Sequence, residues 1–61
     1  MNHKQAFQFA LSIQSLAGDL LDELNRLDWE KFADTLSLIQ DDTERLTEYS
    51  NERLIEKEEN K

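Results

Sequence analysis

The sequence predicts an all-α protein, an antiparallel helical hairpin with helices over about residues 4–26 and 29–54 and a turn near 27–28. Three observations carry this reading. The 61-residue chain has no proline and a single glycine, so the residues on which turns and sheets depend are nearly missing. Its apolar residues recur at alternating spacings of three and four, the period of a helix face. That recurrence changes phase once, near the middle of the chain.

The first helix is carried by Ala6, Ala10, Ile13, Ala17, Leu20, Leu24 and Leu27, an unbroken a/d seam. A second seam follows at Trp29, Phe32, Leu36, Ile39, Thr43, Leu46 and Ser50, growing polar toward its end. It restarts five residues after Leu24 where a continuous heptad needs seven. On one unbroken helix that jump would swing the apolar stripe by ~140°, more than a single stutter absorbs, so the helix is expected to stop and a new one to begin.

Local chemistry agrees with a break in "LNRLDWEKFAD". Asp28 is suited to cap the second helix by accepting from its free first-turn amides, and Glu30 stands well at the positive end of the dipole. Leu27 and Phe32 are spaced for a hydrophobic staple across that cap. Lys31 stands where a full capping box would have Glu or Gln, and no glycine closes the first helix, which leaves that end to Asn25 or Arg26. Read antiparallel about the turn, the seams pair Leu24 with Phe32, Leu20 with Leu36, Ala17 with Ile39, Ile13 with Thr43, Ala10 with Leu46 and Ala6 with Ser50. Small faces large in the middle layers, as interdigitating helices require.

A chain this short buries too little surface to be comfortable alone. It has no cysteine for a disulfide and one histidine, His3, so neither disulfide nor zinc supplies a staple. Phe7, Phe9, Leu16 and Leu21 flank the first seam and widen its apolar stripe beyond what one partner helix covers. They are expected to be dimer contacts, two hairpins closing into a four-helix bundle. Residues 1–55 would form this single domain, with 56–61 a frayed charged tail.

No apolar run approaches the ~18 residues of a membrane span, and the N-terminus lacks the pattern of a secretory signal. Together with the absence of cysteine this gives the expectation of a cytoplasmic, soluble protein that touches no membrane. A formal net charge of −7 disfavours nucleic acid and anionic lipid and favours basic protein surfaces. No Ser-His-Asp, Cys-His or Glu-x-x-His set exists and the seam positions are Ala, Leu and Ile. The expectation is therefore no catalysis, no cofactor and no metal.

On these residues the chain resembles the Rop family, small plasmid-encoded modulators of antisense RNA pairing that fold as helical hairpins and dimerise into four-helix bundles. The resemblance is sharpest at Leu24-Asn25-x-Leu27-Asp28 with Ala33-Asp34 following, and it continues through the seam from Ala6 to Leu27, with Ala17 where a threonine is familiar. It implies the hairpin and the dimer. It also implies an RNA face on the first helix, but the family's Lys, Asn, Phe, Gln and Lys fall on Met1, Gln8, Ser12, Leu16 and Glu23, of which only Gln8 keeps the chemistry. A phosphate-pairing cation has become Glu23, so an RNA partner is disfavoured.

Two surface features remain. Trp29, at the first turn of the second helix, either caps the bundle end or stays exposed as an anchor for a partner. Asp34, Asp41 and Glu48 recur every seven residues on the outer side of the second helix, flanked by Glu30, Glu44 and Glu52. Such a row is either a solvated face with i,i+4 pairs such as Asp41–Arg45, or a surface for a basic partner. The functional expectation is a homodimeric regulatory or adaptor protein that binds a protein with a basic surface, as an inhibitor or a nucleic-acid mimic. The alternative is a Rop-like RNA-binding modulator of plasmid copy number.

Overall fold

The computed structural model describes residues 1–59, with side chains through residue 56. Helix α1 spans His3–Asn25 and α2 spans Trp29–Glu59, packed against each other as a hairpin 50 Å long and 17 × 14 Å across. Asn2 caps α1 through a complete capping box: the Gln5 amide donates to Asn2 Oδ1 at 2.8 Å and the Asn2 amide donates back to Gln5 Oε1 at 3.0 Å.

The end of α1 is closed without glycine. Arg26 is the C-cap, and Leu27 takes the left-handed position at φ 59°. The Leu27 amide donates to the Leu24 carbonyl at 3.2 Å and the Asp28 amide to the Glu23 carbonyl at 2.9 Å, the two bonds of a Schellman turn. That geometry turns the Leu27 side chain outward, where it is 66% exposed. Leu27 therefore lies outside the line buried between the two helices. Asp28 does cap α2, accepting from the Lys31 amide at 3.3 Å while its carbonyl receives the Phe32 amide.

α2 outruns its expected end near residue 54 and continues to Glu59. Of the expected frayed tail, residues 56–59 have helical backbone and residues 60–61 lie outside the described residues.

The buried line between the helices is phased differently from the expected seams. On α1 it runs through Ala6, Phe9, Ile13, Leu16, Leu20 and Glu23, and on α2 through Phe32, Thr35, Ile39, Asp42, Leu46 and Tyr49. Every second position moves back one residue, which rotates each stripe by ~50°. Ala10, Ala17, Leu24 and Leu36, expected in the core, stay exposed, while Phe9 and Leu16, expected at a dimer contact, pack inside the hairpin. The reason is geometric. An a/d seam points to the centre of a bundle, between two neighbours, whereas a lone hairpin supplies each helix with only one of them.

The hairpin consequently has almost no interior. Ala6, at 7% exposure, and Thr35, at 6%, are its buried residues, and no large side chain is fully buried among those described.

Candidate interaction surfaces

Position by position, the next residue after each buried one lies ~100° further round its helix. On α1 these are Phe7, Ala10, Gln14, Ala17, Leu21 and Leu24; on α2 they are Ala33, Leu36, Gln40, Thr43, Thr47 and Ser50, preceded by Trp29 after half-buried Asp28 and continued at the same spacing by Leu54, all exposed. Because the helices are antiparallel, the same sense of rotation carries both rows to the same side of the hairpin. The result is one continuous open face.

No residue in either row is charged, in a chain where charged residues make up 34%. A shallow trough lined by Leu36, Ile39, Gln40, Thr43, Glu44 and Thr47 runs along its α2 half. Phe7 is 58% exposed and Leu21 71% exposed, so the two expected dimer contacts that do not pack inside the hairpin stand bare on this face. Trp29 sits at its turn end, 58% exposed and edge-on to Phe32 with ring centroids 5.9 Å apart.

The charges lie elsewhere. Asp34, Asp41 and Glu48 are exposed on the outer side of α2, where Asp41, Glu44, Arg45 and Glu48 line a polar groove. The expected Asp41–Arg45 pair does not form. Arg45 instead reaches across to α1 and lies 5.5 Å from the centroid of the Phe9 ring. Among the described residues the ion pairs are Asp22–Arg26 at 3.3 Å and Arg53–Glu56 at 3.4 Å, so the three stripe carboxylates have no cation within the hairpin.

One polar contact in the seam was not anticipated. The Thr35 hydroxyl donates to Glu23 Oε2 at 2.8 Å, and the other oxygen, Glu23 Oε1, is buried with no partner. The signal was present as a Glu and a Thr just beside the seams, but the phase of the seam decides whether such residues face in or out. Leu16 and Glu23, two of the five positions onto which the family resemblance maps RNA contacts, are half-buried against α2.

Among the described residues no helix is long and apolar enough to cross a membrane, and no three His, Cys, Asp or Glu side chains could hold a metal ion. Comparison with protein-family models, with characterised proteins and with solved structures finds no match to this chain.

Proposed function

We propose that this protein is a non-enzymatic homodimer, a four-helix bundle closed through the uncharged open face, which presents the carboxylates of α2 to a protein partner with a basic surface. The single observation that carries the reading is the segregation of charge. One side of the hairpin carries two rows of apolar and uncharged polar residues, with Glu44 at the edge of its trough, while Asp34, Asp41 and Glu48 stand exposed outside it.

The surface area supports the dimer. The chain exposes 5163 Å² at 7.2 kDa. A compact monomer of that mass exposes about 4,100 Å², which leaves an excess of about 1,000 Å². Each partner of an ordinary interface buries roughly 800 Å², so a second copy is enough to remove the excess. Sedimentation equilibrium at micromolar concentration is expected to report twice the chain mass, and a folded monomer would contradict the bundle.

The partner surface is tested by Asp34→Asn, Asp41→Asn and Glu48→Gln together, against a control that neutralises Asp19, Asp22 and Glu56. Both sets remove the same charge, yet only the stripe variant should weaken binding of a basic partner, by tenfold or more. Equal loss in both would make the stripe a solubilising face.

The Rop-like RNA reading has the hairpin in its favour and the half-burial of Leu16 and Glu23 against it. Gel-shift titration with paired RNA hairpins at low salt should show no complex, and a complex with steep salt dependence would reinstate RNA as the partner.

A further inference from the structure

We propose that Gln14 and Gln40 form an amide layer across the middle of the open face, which restricts that face to a second copy of the chain. This rests on the dimer proposed above and names what selects its partner.

The two glutamines are the only amides in the rows of the open face. Gln14 lies halfway between Phe7 and Leu21 on α1, and Gln40 halfway between Ala33 and Thr47 on α2. The packing of the helices sets them level. Arg45 lies over the Phe9 ring, and from these two residues Gln14 and Gln40 are each five positions nearer the turn. Gln40, with Thr43, lines the trough beside Leu36 and Ile39, so its amide stands in apolar surroundings. Both glutamines are exposed, and among the described residues neither side chain hydrogen-bonds within the hairpin.

A carboxamide carries two N–H donors and one carbonyl acceptor. On the open face water can satisfy them. Whatever covers the face removes that water, and an amide then left without a partner opposes the association. A carboxylate cannot donate to the carbonyl's neighbour atoms' lone pairs and a cation cannot accept from the N–H groups, while an apolar side chain does neither. An amide is its own complement, because two of them can exchange N–H···O bonds. The chain itself therefore supplies a surface of the right length with amides at the right level.

Mid-length placement makes the match independent of direction. If the two turns share an end, α1 lies on the partner's α2, and Gln14 meets the partner's Gln40. If the turns point apart, each helix lies on its own copy, and Gln14 meets the partner's Gln14 while Gln40 meets the partner's Gln40. Either way no amide faces a purely apolar surface. Phe7, Leu21, Leu24 and Leu36 supply the apolar area of the contact, and the amides supply discrimination, as a single polar residue does in the seam of a coiled coil.

The test is a Gln14→Met, Gln40→Met variant, which keeps side-chain length and helix propensity while removing the amide groups. The variant is labelled with heavy isotopes, mixed with the natural chain, unfolded in urea and refolded, and the dimers are separated by native mass spectrometry. Random pairing would give about half heterodimer, whereas setting amides against thioethers should hold it to about a tenth of all dimers or less. The variant homodimer should dissociate with a constant equal to or below the natural one, because both sides of the layer become apolar together. Random proportions overturn the amide layer and leave the dimer standing. A variant constant about tenfold or more above the natural one overturns it as well, since the amides would then be a source of affinity. A natural chain that stays monomeric at high micromolar concentration overturns dimer and layer together.

Discussion

Leu27 is a leucine where helix ends usually place glycine. At φ 59° its Cβ crowds the following carbonyl, a strain of about 1–2 kcal/mol for an L-residue, and its side chain is too exposed to recover that by burial. Leu27→Gly should therefore raise stability by about 0.5–1 kcal/mol in urea unfolding at fixed concentration, the gain reduced by the greater freedom of glycine in the unfolded chain. Glu23 and Thr35 behave oppositely, as a pair whose members depend on each other. Thr35→Val leaves both carboxylate oxygens of Glu23 without a protein donor in the seam and should cost about 1–2 kcal/mol. The Glu23→Leu, Thr35→Val double variant replaces both by apolar groups and should be at least as stable as the natural chain, a sign change that a double-mutant cycle reads directly. Neither effect was legible beforehand, since a positive φ and an inward carboxylate both follow from how the two helices meet.

At the level of elements, the existence, type and order of both helices follow from residue spacing, and the turn from the phase jump with Asp28 as cap. The start of α1 was legible too, because Asn2 followed by Gln5 is a capping-box pattern just ahead of the first apolar residues. Asn2→Ala should cost about 1 kcal/mol, read from the loss of helical signal at 222 nm on heating. Gly18 interrupts α1 on an outward position where an added Cβ meets nothing within 4 Å. Gly18→Ala should stabilise the helix by about 0.8–1 kcal/mol, and a loss instead would mean that something packs closely on that backbone. The phase of the buried line was not legible. Alternate three and four spacings fit two neighbouring rows of each helix equally well, Ala10 and Ala17 in one and Phe9 and Leu16 in the other, and only the presence of a neighbour on one side chooses between them.

The molecule as a whole is a plate with two unlike sides, and this is what connects packing to function. Its apolar atoms are too many for two helices to hide, and its charges are sorted away from where the excess lies. Closing the face should make unfolding depend on concentration: each tenfold dilution should lower the thermal midpoint, whereas a monomer would melt at one temperature throughout. By itself the sequence determined that the chain is helical, that it turns at Leu27–Asp28, that the helices lie antiparallel and that it carries a row of carboxylates, because helix period and cap chemistry are local properties of the chain. Only the tertiary structure decided which apolar row is spent within the hairpin and which is left open, that Glu23 turns inward to Thr35, that Arg45 leaves Asp41 for Phe9, and that α2 outreaches α1. Those outcomes depend on the rotation and relative length of two packed helices, quantities to which no single stretch of residues is tied.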